Sequence, residues 1–285
     1  MSTGTRTSRQ WLLTLPSLTW LAVFFVIPAI LVILTAFRPA DLQGGVGPGW
    51  TMDTLHELND PAYLPILWRT FSLSAATTLI CLVLGLPVAF QMARAGQRLR
   101  QVLLLLVIIP FLSNFLIRIF AWKSLLHPEG PLTKLLISLQ LIPENAVLLH
   151  HSGTVLLVLV YTQLPFAILP LYAAAEKFDM GLLDAARDLG AGPWRAFAKV
   201  FVPGVRRGLS SAAIMVFVCC LGQYVIPQMV GGASDEMLGS KIAQRVFSDR
   251  NLPHASALAG GLMLAVLVPM LIVVLWQQFG RKEES

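Results

Sequence analysis

Six stretches without a single Asp, Glu, Lys or Arg run through this 285-residue chain: Gln10–Phe37, Thr70–Ala93, Gln101–Ile117, Ser152–Ala175, Gly208–Ser234 and Ala255–Gly280. Together they hold 146 residues, about half the chain. About 20 mostly apolar residues, each rising 1.5 Å in a helix, cross a hydrocarbon core of roughly 30 Å. Every stretch can therefore span a bilayer, the third only by extending past Arg118 toward Trp122. With 56% hydrophobic and 13% charged residues, the chain is far from globular usage, which excludes a soluble enzyme or a nucleic-acid binder. The expectation is an all-α integral membrane protein with six transmembrane helices.

A net charge of +6 then needs a location rather than a polyanionic partner. With the N-terminus in the cytoplasm, thirteen Lys and Arg face that side and eight face the other. Six acidic residues lie inside and nine outside, so the balance is +7 against −1. Such asymmetry is the positive-inside pattern and puts both termini in the cytoplasm of a multi-pass protein. The first stretch contains Pro16 and Pro28 and leads into Arg38 instead of a small-residue cleavage site. It is expected to remain as a span rather than to be removed as a signal peptide. The organisation expected is a cytoplasmic N-terminus over 1–9 and one transmembrane domain over 10–285.

Between the spans, Met52–Asn59 reads as a short polar helix, and the segment from Pro131 as a short amphipathic helix. Arg94–Arg100, with three arginines in seven residues, is a tight cytoplasmic link. Pro110, Ser113 and Asn114 predict a kink in the third span. Tyr161 and Gln163 stand before Pro165, and Gln223 and Tyr224 before Pro227. A proline inside a span frees a carbonyl that needs another partner, so such spots line cavities or helix contacts rather than lipid. Ser113, Asn114, Tyr161, Gln163, Gln223 and Tyr224 are therefore candidates for a solute pathway, packing between helices being the alternative for each. Arg118 is expected to snorkel toward an interface. Cys81, Cys219 and Cys220 fall within spans as small packing residues.

No phosphate loop, His-Glu-x-x-His, Gly-x-Ser-x-Gly or Ser-x-x-Lys pattern occurs, so no catalytic residue, metal site or bound cofactor is expected. The spans carry no mid-membrane charge, which counts against an ion-coupled secondary transporter. The histidines lie outside the spans, which leaves an intramembrane enzyme without a nucleophile–base pair.

The longest cytoplasmic loop, 176–207, carries ten charges and a regular pattern. Leu182 to Leu189 can form two helical turns, with Asp184, Arg187 and Asp188 on one side and Ala185, Ala186 and Leu189 on another. Gly190 ends that helix in the left-handed conformation. Gly192-Pro193 opens a second helix whose Trp194, Phe197, Val200 and Phe201 form an apolar stripe, and Pro203 ends it. Periodicity alone leaves open both a helix resting on anionic lipid and one that docks a partner.

Asp184-Ala185-Ala186, then Gly190, then Val200-x-Val202-Pro203, resembles the Glu-Ala-Ala…Gly…Ile-x-Leu-Pro signature of inner-membrane permeases of binding-protein-dependent ABC importers, with Asp for Glu and Val for Leu. The resemblance implies a type I importer permease fold in which this loop is the coupling helix. Asp184, Ala185, Ala186, Asp188, Gly190, Trp194, Phe197, Val202 and Pro203 would then contact a cytoplasmic ATPase. Two copies of that ATPase would use ATP and Mg. A second permease subunit, forming a heterodimer, and an extracytoplasmic solute-binding protein would complete the complex in a bacterial inner membrane.

Pro110–Trp122, Glu129–Leu132, Val225–Gly232 and Asp249–Ala257 are similar to the spermidine/putrescine permease branch. That similarity implies uptake of a polyamine or related amine. Gln223 stands where many members of that branch carry an acid, so an opine or amino-acid derivative is the alternative cargo.

Overall fold

The computed structural model describes residues 14–41 and 44–280. The expected cytoplasmic N-terminus, with Arg6 and Arg9, and the terminal Arg281 and Lys282 lie outside the described residues. Among the described residues the chain is helical, with a single isolated bridge between Ala40 and Val46.

Three helices are individually long and apolar enough to cross a membrane: α1 (Thr14–Ala36), α3 (Tyr63–Arg94) and α7 (Ser152–Glu176). The short α2 (Asp53–His56) precedes α3. Two bent pairs reach the same length: α4 (Gln97–Leu112) with α5 (Phe115–Leu125), and α9 (Pro193–Gly204) with α10 (Arg206–Leu221). The remaining helices are α6 (Pro131–Ser138), α8 (Gly181–Asp188), α11 (Val225–Val230), α12 (Leu238–Phe247) and α13 (Leu252–Gly280).

The third and fifth charge-free stretches are not straight helices. Between α4 and α5 the chain turns by 91°. Pro110 lacks the N–H that would continue the ladder, Ser113 is extended, and the Asn114 side chain accepts a hydrogen bond from the Leu116 amide at 2.8 Å. That cap starts a new helix and so stabilises the corner. In the fifth stretch α10 ends at Leu221, and Gly222–Tyr224 separate it from α11. Pro165 and Pro170, by contrast, are absorbed within α7.

Pro203 does not end its helix. A π-helical turn over Phe197–Phe201 precedes it, and Pro203 then sits in the first turn of a restarted segment, where its missing N–H costs nothing. The break falls at Val205, where the axis turns by 73° into α10.

The chain divides into two compact units, residues 65–240 and residues 1–64 with 241–285. In the larger unit α7 packs along α10. Gly208 makes that approach possible, since a Cβ there would lie 2.4 Å from the Ala174 Cβ. Three zones of core follow the length of α7. One joins Leu73, Ile119, Val155, Leu159, Ile226 and Met237. The middle joins Met92, Ile168, Leu171 and Ala212, with Cys81 and Cys220 packed beside Ala167 and Val216. The third joins Ala175, Leu183, Ala196, Phe201 and Val205, anchoring the 176–207 loop to the bundle.

In the smaller unit Ile27–Ala36 packs on α13, and α2 packs on the same helix. A polar relay fastens the connector. His254, 3% exposed, meets Glu57 through Nδ1 at 2.7 Å and the Tyr63 hydroxyl through Nε2 at 2.6 Å. Arg245 donates to that hydroxyl at 3.1 Å and pairs with Asp249 at 2.9 Å. With the His254 proton on Nδ1, Nδ1–H donates to Glu57 and the Tyr63 hydroxyl donates to Nε2, while Arg245 Nε stays buried without a partner. The Tyr63 hydrogen bond raises the pKa of Arg245 against the opposing effect of its partial burial. This contribution is present below the ordinary guanidinium pKa and lost only above it, so the link holds at neutral pH. Replacing His254 with leucine leaves Glu57 and Tyr63 without their partner. The expected result is a loss of about 2 kcal/mol, read as faster hydrogen exchange over residues 51–63. Unchanged exchange would show that the relay does not hold the connector.

Candidate functional site

Two places carry the polar and exposed groups from which a function can be built, and both lie within residues 65–240. The first is the loop after α7. The Asp179 carboxylate accepts from the Gly181 amide at 2.9 Å, at the start of α8. Gly190, at φ +84°, ends α8: its amide donates to the Arg187 carbonyl at 2.8 Å, and the Ala191 amide to the Ala186 carbonyl at 3.0 Å. That double closure is the Schellman arrangement. Extended Gly192 and Pro193 then start α9.

Within the loop the side chains divide cleanly. Leu183 is buried and Ala186 packs beside it. Phe197 faces inward, its ring centroid 5.2 Å from Phe90 and 5.3 Å from Phe201. Outward stand Asp184, Ala185 and Asp188, with Asp184 3.6 Å from Arg187. Beside them are two large apolar groups, Leu189 at 89% and Trp194 at 80% exposure. Val202 is half-buried and Pro203 exposed. Of the two aromatics singled out in the sequence, Trp194 is presented and Phe197 is part of the platform beneath it. Leu189 is a presented group absent from the candidates that the sequence suggests. Its position directly before the C′ glycine is the signal that could have found it.

The second place is the pair of breaks. The segments that follow the two breaks come together, since α11 packs on both α5 and α7. Ser113 donates to the Pro110 carbonyl at 2.8 Å, and Asn114 is engaged as the cap of α5; both are exposed at the corner. Trp122, at the end of α5, meets Tyr161 edge to face at 5.4 Å. Tyr224 is 40% exposed, and Gln223 is half-buried with its carbonyl against Gly239, where an added Cβ would lie 2.6 Å away. Gln163 is the exception among the six pathway candidates. It is 3% exposed and its Oε1 has no hydrogen-bond partner. Arg118 is turned back across the corner, with its guanidinium 5.5 Å from the Phe111 ring centroid and 5.9 Å from that of Phe115. Among the described residues no group of three or more His, Cys, Asp or Glu is placed to hold a metal ion.

A family profile described as "Binding-protein-dependent transport system inner membrane component" matches residues 81–279. The spermidine/putrescine transport system permease protein PotB of Haemophilus influenzae is 36% identical over 258 residues, covering 90% of each chain. The protein of the same name from Escherichia coli is 32% identical over 258 residues, covering 90% of this chain and 93% of its own. Among solved structures, a chain of a bacterial alginate ABC transporter, crystallised with an alginate pentasaccharide-bound periplasmic protein, superposes with a TM-score of 0.72. The alignment covers 95% of this chain and 96% of that one at 16% identity, so the likeness is one of fold.

Proposed function

We propose, for a chain that belongs to the family of binding-protein-dependent transport system inner membrane components, that it forms half of a translocation path for a polyamine or related small amine. It is an ABC importer permease and not an enzyme; ATP hydrolysis belongs to a separate ATPase. With six spans and both termini in the cytoplasm, as the charge pattern implies, the 176–207 loop would lie on the ATPase side. The presented face of Asp184, Ala185, Asp188, Leu189 and Trp194 would seat in the ATPase, and Gly190 would hold the turn that presents it. A second permease, two ATPases acting with ATP and Mg, and an extracytoplasmic binding protein would complete the complex in an inner membrane. ATPase closure would push the loop as a lever. Because Leu183, Ala196, Phe201 and Val205 tie the loop to Ala175 at the end of α7, that push reaches the bundle directly.

The observation that carries this reading is the rigid helix–Schellman–helix platform. It points two large apolar side chains, Leu189 and Trp194, and two carboxylates, Asp184 and Asp188, outward, none of them buried. Solute would pass the broken spans, where Ser113, Asn114, Gln223 and Tyr224 expose polar groups; Tyr161 and Gln163 stand behind them. Uptake of labelled putrescine and spermidine by cells supplied with the cognate binding protein tests the substrate class.

The two breaks support a second reading, an opine or amino-acid derivative. Gln223 is neutral, and the cationic Arg118 lies over the bend. A carboxylate at the break favours a polycation. Gln223→Glu is therefore expected to increase amine uptake relative to amino-acid derivatives about fivefold, measured by competition. An unchanged profile would remove Gln223 from the pathway.

A further inference from the structure

We infer that a groove of about 560 Å³ between α3 and the α8–α9 platform is a binding site for one anionic phospholipid of the leaflet bordering Arg94. Val83, Leu86, Pro87 and Phe90 occupy one face of α3, at helical spacing, and Gln91 and Arg94 continue it. Phe197 and Arg187 belong to the facing wall.

The groove is amphiphilic along its length. From Val83 to Arg94 the helix rises about 16 Å, close to half of a hydrocarbon core of roughly 30 Å. One end therefore lies at acyl-chain depth and the other at headgroup depth. Two guanidiniums mark the headgroup end. Arg94 lies over the Phe90 ring at 5.4 Å and makes no ion pair among the described residues. Arg187 has Asp184 at 3.6 Å with both side chains well exposed, a weak pairing that leaves donors for a phosphate. An apolar trough ending in two arginines is complementary to an acyl chain ending in a phosphate. Trp194 lines the groove at the loop end, where a docked soluble partner can touch it, but such a partner does not reach the depth of Val83, and the two arginines at the headgroup end match the charge of a phospholipid. The inference needs only that α3 spans the membrane and is independent of the transported solute.

The intact permease–ATPase complex, reconstituted in phosphatidylethanolamine vesicles carrying a trace of photoactivatable phosphatidylglycerol, should be labelled within 83–94. Photoactivatable phosphatidylethanolamine should label that segment several-fold less. Arg94→Gln should lower the phosphatidylglycerol label about fivefold and Arg94→Lys should retain it, one surface cation being worth about 1 kcal/mol. Leu86→Trp, which fills the trough, should lower labelling by both lipids. Arg94 is exposed and outside the core, so equal recovery of monodisperse complex separates lost binding from lost folding. Equal labelling by the two lipids, or a phosphatidylglycerol label unmoved by Arg94→Gln, would overturn the site. So would a crosslinker at Val83 that captures a second permease chain instead of lipid.

Discussion

Replacing Gly208 with leucine is expected to remove the folded permease from the membrane. A Cβ at this position lies 2.4 Å from the Ala174 Cβ and 3.0 Å from the Pro170 carbonyl, so even the first added atom meets a facing helix that cannot swing aside. In lipid there is no hydrophobic gain in bringing helices together, and their association rests on close packing at small residues. Overpacking costs about 1–3 kcal/mol in cores that can relax, and more where backbone blocks relaxation. Since α7 and α10 form the central packing of the larger unit, the penalty falls on the whole bundle. Gly85→Ala is the matched control. Its Cβ would meet only side-chain atoms, the nearest being a flexible Leu171 methyl at 3.3 Å. Membrane yield and thermal unfolding in detergent should therefore fall sharply for Gly208→Leu and little for Gly85→Ala. Equal behaviour would mean that the α7–α10 contact does not hold the bundle.

Leu189→Asp should leave the permease folded and abolish its coupling. The side chain is among the most exposed apolar groups in the chain, so its replacement disturbs no core. In the docked complex it would put a third carboxylate beside Asp184 and Asp188 and bury an unpaired charge in the contact. Central apolar anchors of interfaces are worth about 2 kcal/mol or more, so co-purified ATPase and solute uptake should drop at least thirtyfold. Gly190 supplies a graded companion test. Its φ of +84° costs a side chain about 1–2 kcal/mol, yet an added Cβ meets nothing within 4 Å. Gly190→Asp should weaken coupling through the turn and through the carboxylate it adds to the docking face, and Gly190→Asn, which brings no charge, less so. Undiminished complex and uptake in both Leu189→Asp and Gly190→Asp would refute the docking face.

The 176–207 loop was legible almost residue by residue because its determinants are local. Gly190, Gly192 and Pro193 each act through their own backbone conformation. Pro203 misled, because its effect depends on the π-turn before it, which shifts where an orphaned N–H falls. The corner at Ser113–Asn114 was foreseen as a kink but not as a right-angled turn. Residue types predict that a ladder breaks, whereas the cap on Leu116 decides how far the next helix swings.

Charge spacing alone determined that this is a membrane bundle. The cost of placing charge in hydrocarbon leaves a signature that needs no knowledge of contacts. Local backbone chemistry likewise determined where the loop helices start and stop. Only the tertiary structure decided which face of that loop is free. Phe197 and Trp194 look equivalent in sequence, and the rings of Phe90 and Phe201, over a hundred residues apart, take one and leave the other. It also decided that Gln163 lies inside the packing while Tyr224 is open, and that Glu57, Tyr63, Arg245 and His254 meet. These outcomes are set by which distant surfaces pack together, and a periodicity of 3.6 residues records that a face is apolar without recording what covers it.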